Sequence, residues 1–68
     1  MLSRVNVWHI NRRPTYYELK NLIDECVDYD TMAILYYEAE NLGRMRLVIN
    51  KDSDFESLYN TICIKEGN

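Results

Sequence analysis

The chain has 68 residues, of which 47% are hydrophobic and 28% are charged, and its formal net charge at pH 7 is −3. This composition excludes a disordered, collagen-like or two-domain chain, and the acidic balance disfavours direct binding of nucleic acid. We therefore expect a single domain over residues 1–68. Because so short a chain buries only about 60% of its unfolded surface, a second copy or a partner is expected to add stability.

The cysteines and the first residues bear on the compartment. Cys26 and Cys63 are isolated from each other in sequence, which matches neither a disulfide framework nor a metal knuckle. Residues 1–10 include Arg4 and His9 and lack the uninterrupted apolar stretch of a signal peptide or membrane span. These features predict a cytoplasmic protein.

The charges are unevenly distributed. Residues 1–17 carry a net charge of +3, residues 18–40 carry −6, and residues 41–68 are neutral. The acidic middle segment has two interpretations: it meets a basic partner surface, or it is a solvated face that keeps a small protein soluble.

The first predicted element is a strand. Residues 4–10 are rich in β-branched and aromatic side chains, with Val5, Val7 and His9 on one face. Pro14 ends this region because it lacks an amide donor and restricts the residue before it.

A helix is predicted over residues 16–27. Thr15 and Glu18 have the spacing of a capping box, in which each side chain bonds an amide of the first turn. Apolar residues follow at helical spacing: Leu19, Leu22, Ile23, Cys26 and Val27. The opposite face carries Lys20, Asp24, Glu25 and Asp28.

A hairpin is predicted next. Residues 31–37 are apolar on both alternating faces, which favours a central strand covered on two sides. Residues 40–43 supply a turn, and residues 44–49 alternate. In the second strand Met45, Leu47 and Ile49 are expected to face inward, and Arg44 and Arg46 outward.

The last predicted element is a helix over residues 54–65 that ends at Gly67. Ser53 and Glu56 repeat the capping-box spacing, and an apolar stripe follows them. The stripe consists of Phe55, Leu58, Tyr59 and Ile62. The predicted fold is α+β, a two-layer β-α-β-β-α domain in which a three-stranded sheet packs against two helices.

The position of the helices decides whether one sheet face is open. If both helices lie on one face of the sheet, the opposite face exposes some apolar residues and the arginines. An uncovered apolar sheet face is typical of an association site, so this arrangement predicts a homodimer. The candidates are Trp8, Met32 or Ala33, and Tyr36 or Tyr37. If the helices straddle the sheet, no such face exists.

The residues of catalysis are few, so we predict that the protein is not an enzyme and uses no cofactor or metal. His9 is the single histidine, and its place in a strand favours a packing role. Cys26 and Cys63 lie in or beside apolar stripes, where a thiol behaves as a small hydrophobe. The two glycines do not form a phosphate-binding loop.

Six tyrosines are many for this length. Tyrosine is enriched in binding patches because its rigid ring has a polar tip. The alternative is that Tyr16, Tyr36 and Tyr59 fill the core, whereas Tyr17 and Tyr29, together with Tyr37, have weaker reasons to be buried.

Two segments resemble a known family. Residues 53–56 (Ser-Asp-Phe-Glu), 58–59 (Leu-Tyr) and 60–61 (Asn-Thr) resemble the helix opening of the small uracil-DNA glycosylase inhibitors of Bacillus phages with protein-primed genomes. Residues 29–32 (Tyr-Asp-Thr-Met) are similar to the start of that family's hairpin. The resemblance covers residues 29–61.

The resemblance implies a phage-encoded homodimer that acts in the infected host cell. Such a protein mimics DNA and blocks the DNA-binding groove of host uracil-DNA glycosylase, because a groove that holds phosphates also attracts carboxylates. It implies partner contacts by Phe55, Glu56 and Tyr59. Glu56 and the neighbouring acids Asp52 and Asp54, with Glu38 and Glu40, would then stand in for phosphates.

Three other functions stay open. The first is an anti-defence or host-takeover inhibitor of another nucleic-acid-handling bacterial protein. The second is a small structural or regulatory dimerisation module without an enzyme target. The third is direct nucleic-acid binding through five arginines, which the acidic segment opposes. These arginines are Arg4, Arg12, Arg13, Arg44 and Arg46.

Overall fold

The computed structural model describes residues 5–64, and it has the predicted β-α-β-β-α order. Its elements are β1 (Val5–His9), α1 (Tyr16–Tyr29), β2 (Met32–Ala39), β3 (Gly43–Asn50) and α2 (Phe55–Ile62). The α+β prediction is confirmed. Arg4, Lys65 and Gly67, which entered the predictions, lie outside the described residues.

The three strands form one mixed sheet with β2 in the centre. β1 runs parallel to β2, and β3 runs antiparallel to it. Register determines which side chains share a face, since paired residues point to the same side of a sheet. Trp8 pairs with Leu35, and Leu35 pairs with Leu47, so these three side chains lie on one face.

Both helices lie on the Leu35 face. α1 packs over β2 and β3, and α2 packs against α1. The largest fully buried side chains include Leu19 of α1, Leu35 and Ile49. Ile62 of α2 is buried in the same core. The predicted inward direction of β3 is thus correct, with Ile49 the most deeply buried residue of that strand.

The capping box of α1 is confirmed. The Thr15 hydroxyl accepts a hydrogen bond from the Glu18 amide, and the Glu18 carboxylate accepts one from the Thr15 amide. Each bond satisfies an amide that the first helical turn leaves without a partner. α1 runs two residues further than predicted, to Tyr29, and Asp30 then ends it in the left-handed conformation with φ 51°.

The second predicted capping box is wrong. The Ser53 hydroxyl accepts a hydrogen bond from the Asn50 amide, and this bond closes the turn after β3 instead of capping α2. The N-cap residue is Asp54, which makes no side-chain capping bond. α2 also ends earlier than predicted, at Ile62, because Cys63 is extended.

The second face of β2 departs from expectation. The pattern of residues 31–37 predicted a strand covered on both sides, but burial alternates strictly along β2. Met32, Ile34 and Tyr36 are half-buried on the face away from the helices, and no element of residues 5–64 packs over them. We call this surface the open sheet face.

Candidate functional site

The start of α2 brings together five of the seven predicted partner-binding residues. Asp52, Asp54 and Glu56 are exposed, while Phe55 and Tyr59 are half-buried. Within residues 5–64 none of these three carboxylates has an ionic partner. The segment therefore presents negative charge to solvent next to two aromatic rings.

The aromatic rings at this site form a connected cluster. Tyr16 of α1 meets Phe55 edge-on at a ring-centroid distance of 5.0 Å and meets Tyr59 at 5.6 Å. Phe55 and Tyr59 stack on each other at 5.9 Å, one helical turn apart. Tyr17 extends the cluster by an edge-on contact with Tyr16, at a ring-centroid distance of 5.3 Å. Phe55 thus packs against the core and remains partly accessible, so it combines the two roles that its sequence position suggested.

Glu38 and Glu40 do not join this site. Met32 pairs with Asn50 at the end of the hairpin that leads into α2, whereas Glu38 pairs with Arg44 near the hairpin turn. Six residues of extended strand separate Met32 from Glu38, a distance of about 20 Å at roughly 3.3 Å per residue. Glu38 is also neutralised by an ion pair with Arg44 at 3.2 Å. The predicted set is therefore split between two ends of the sheet.

A cleft separates β1 from α1. It has a volume of about 480 Å³ and lies over the helix side of β1, which α1 leaves uncovered because it packs over β2 and β3. We call it the α1–β1 cleft. Its apolar lining comprises Trp8, Ile10, Pro14, Leu22 and Leu35, and its polar lining comprises Glu18, Asn21, Asp24, Glu25 and Asp28.

The carboxylates around this cleft differ in their surroundings. Glu18 is paired with Arg12, and a hydrogen bond from that guanidinium is the largest of the influences that lower the pKa of Glu18 to about 2. Asp24 has a weak contact with Lys20 at 3.9 Å. Among residues 5–64 neither Glu25 nor Asp28 has an ionic partner. The acidic middle segment therefore faces solvent mainly along α1.

Sequence reasoning missed this cleft. Trp8 was considered for the open sheet face, yet its register with Leu35 places it on the helix side, where it is 42% exposed. The alternation of side chains along β1 placed Trp8 and Val7 on opposite faces of the sheet, but it did not show which face the helices cover.

The burial of two neighbouring tyrosines also differs from the expectation. Tyr37 is buried at 5% exposure, whereas Tyr36 is half-buried.

The open sheet face is mixed in character. Val5, Val7 and Val48 are about half exposed there, beside the half-buried Ile34. The His9 ring stacks on Tyr36 with centroids 5.0 Å apart, which is consistent with the packing role predicted for it. Arg46 extends the apolar strip with positive charge, and beyond it Arg44 and Glu38 form an ion pair on the same face.

Some arginines of residues 5–64 are paired with carboxylates. Arg12 binds Glu18, and Arg44 binds Glu38 and donates to the Ile10 carbonyl. Of the five arginines considered above, two are thus already engaged with carboxylates. This pairing weakens the case for direct nucleic-acid binding.

Both cysteines are free and buried, as predicted. Desolvation raises the pKa of both thiols, to about 11 for Cys63. The Cys63 thiol donates to the Thr15 carbonyl at 3.9 Å, and the Cys26 thiol donates to the Ile49 carbonyl at 3.7 Å. Such thiols are poor nucleophiles because the reactive form is the thiolate.

Residues 5–64 contain no group of three or more His, Cys, Asp or Glu side chains placed to hold a metal ion. None of the helices in that range has the length and apolar character that crossing a membrane requires. Comparison of the chain with protein-family models, curated proteins and solved structures finds no match.

Proposed function

We propose that this protein is an acidic, non-catalytic inhibitor that blocks the basic DNA-binding groove of another protein by DNA mimicry, with host uracil-DNA glycosylase as the first target to test. The observation that carries the proposal is the start of α2, where three exposed carboxylates adjoin the aromatic cluster. These are Asp52, Asp54 and Glu56.

The chemistry of this site suits a groove that binds DNA. Such a groove holds phosphates with cationic side chains and amides, and exposed carboxylates meet the same groups. Charge alone gives fast association and specificity more than affinity, so a tight inhibitor also needs a desolvated anchor. The partly exposed rings of Phe55 and Tyr59 can supply it. The family resemblance over residues 29–61 also implies that these two rings contact the partner.

The direct experiment follows uracil release from DNA by a purified bacterial uracil-DNA glycosylase while this protein is added in excess. We expect inhibition that weakens steeply as salt rises, because screening acts on exposed charges. Asp54→Asn combined with Glu56→Gln is expected to weaken inhibition about tenfold, a typical effect of two lost charge contacts. Unchanged enzyme activity at excess protein would reject this target.

The chain offers a matched control. Glu56→Gln alone removes one carboxylate at the start of α2 and should weaken inhibition, whereas Glu40→Gln removes one carboxylate at the far end of the hairpin and should leave inhibition unchanged. If Glu40→Gln weakens inhibition as much as Glu56→Gln does, the effect reflects overall charge, and the start of α2 is not the contact site. If the glycosylase is unaffected, the same variants can test a nucleic-acid-handling protein of a bacterial defence system.

A second candidate function, a small structural or regulatory dimerisation module, is favoured by the open sheet face. Half-exposed Val7 and Val48 flank the half-buried Ile34 there, and apolar sheet surface of this kind commonly lies in interfaces. Sedimentation equilibrium should then detect a dimer that Val7→Lys dissociates and Val27→Lys, on α1, does not. A monomer at high micromolar concentration would reject the dimer.

A further inference from the structure

The α1–β1 cleft is a place where the helical layer is incomplete. Strands lie about 4.8 Å apart and packed helices lie about 8–10 Å apart. α1 lies over β2 and β3, and α2 packs against the flank of α1 that carries Tyr16. A helix placed beside the other flank of α1 would therefore lie over β1. No element of residues 5–64 occupies that position.

The lining of the cleft defines the chemistry of an occupant. Its floor is apolar and includes Trp8, which is 42% exposed, and the fully buried Leu35. Its α1 wall carries Glu25 and Asp28, which have no ionic partner among the described residues, and the uncharged Asn21. Ligand sites commonly combine such an apolar floor with a few convergent polar groups.

We propose that the α1–β1 cleft binds a basic amphipathic helical segment of a partner protein. The apolar stripe of that helix would cover Trp8 and Ile10, and its lysines or arginines would meet Glu25 and Asp28. A cation can also lie over the indole face of Trp8. Charge complementarity selects this occupant, because the α1 wall repels an acidic helix and nucleic acid alike.

The site is separate from the start of α2, so the inference does not depend on the proposed inhibition. Trp8 is the single tryptophan of the chain, and it lines the cleft. Its fluorescence therefore reports directly on whether the cleft is filled. A ring that is 42% exposed should shift its emission to shorter wavelength when a helix covers it.

The experiment titrates the full chain with a synthetic amphipathic Lys/Leu helix of about 18 residues that lacks tryptophan, long enough to form several helical turns. We expect a saturable blue shift of Trp8 emission, and no shift with the same peptide carrying Glu in place of Lys. Asn21→Lys adds a cation to the exposed cleft wall, and it should weaken binding about tenfold by like-charge repulsion. Asn60→Lys makes the same charge change on exposed α2 and should leave the affinity unchanged.

Several results would overturn the proposal. One is an equal loss of affinity in Asn21→Lys and Asn60→Lys, which would assign the attraction to net charge. Another is binding of the Lys/Leu peptide, measured by sedimentation, without any change in Trp8 emission. A third is a blue shift that grows with protein concentration when no peptide is present, which would make a second copy the occupant. Circular dichroism of each variant confirms that it is folded.

Discussion

Replacing Glu18 by glutamine tests how far one side chain stabilises the start of α1. The Glu18 carboxylate accepts hydrogen bonds from the Thr15 amide and from the Arg12 guanidinium. A glutamine at this position would keep an oxygen acceptor for the amide but lose the negative charge. The substitution therefore removes the ion pair and the favourable interaction with the helix N-terminus, and it leaves the capping geometry possible.

The magnitude follows from the pKa of Glu18. It falls from an ordinary value of 4.5 to about 2, which corresponds to roughly 3 kcal/mol at 1.36 kcal/mol per pH unit. Because about a third of the side chain is exposed, solvent screening reduces this to about 1 kcal/mol. Since the folded-state pKa of Glu18 is lowered, its contribution is present above pH 4.5 and is lost as pH falls toward 2.

Urea denaturation of the parent chain and of Glu18→Gln at pH 7 and at pH 2 measures this contribution. We expect the parent to be more stable by about 1 kcal/mol at pH 7 and most of this difference to be lost at pH 2, where Glu18 is about half protonated in the folded chain. Glu25→Gln is the control on the same helix, and it should show little difference at either pH. A stability difference for Glu18→Gln that persists undiminished at pH 2, or that is missing at pH 7, would refute the reasoning.

Three further predictions concern the core, the thiols and the end of α1. Leu35→Ala should lower the free energy of unfolding by about 2–5 kcal/mol, measured in urea, because Leu35 is 1% exposed and its loss leaves a cavity; a loss below about 1 kcal/mol would contradict its central place. Cys63, with its pKa raised to about 11, should resist iodoacetamide at pH 8 in the folded chain and react rapidly in denaturant; equal rates would show that the thiol is accessible. Asp30→Gly should be more stable than Asp30→Ala by about 1 kcal/mol in thermal or urea unfolding, because residue 30 has φ 51°, and equal stabilities would count against a left-handed cap.

Local patterns predicted most of the secondary structure. The Thr15 and Glu18 pair was sufficient to place the start of α1, because a capping box involves only neighbouring residues. The same spacing at Ser53 predicted a second capping box, and this prediction was wrong because the Ser53 hydroxyl accepts a hydrogen bond from the Asn50 amide instead. Both arrangements are local, and only the path of the chain after β3 decides between them.

The candidate site was harder to predict. Sequence placed Phe55, Glu56 and Tyr59 on one helix turn, and the structure keeps them together. It could not show that Glu38 lies about 20 Å from the end of the hairpin that leads into α2, since that separation depends on strand register. Acids that were grouped by their charge alone are thus distant in space.

The sequence by itself determined the order of elements, the cap of α1 and the apolar character of both cysteines, because these depend on spacing and on side-chain type. Tertiary structure decided the rest. Residues 31–37 are apolar on both alternating faces, so only packing could show that Tyr37 is buried and Tyr36 is not. The position of α1 over β2 and β3 also depends on long-range contacts, and that position leaves the cleft beside Trp8 uncovered.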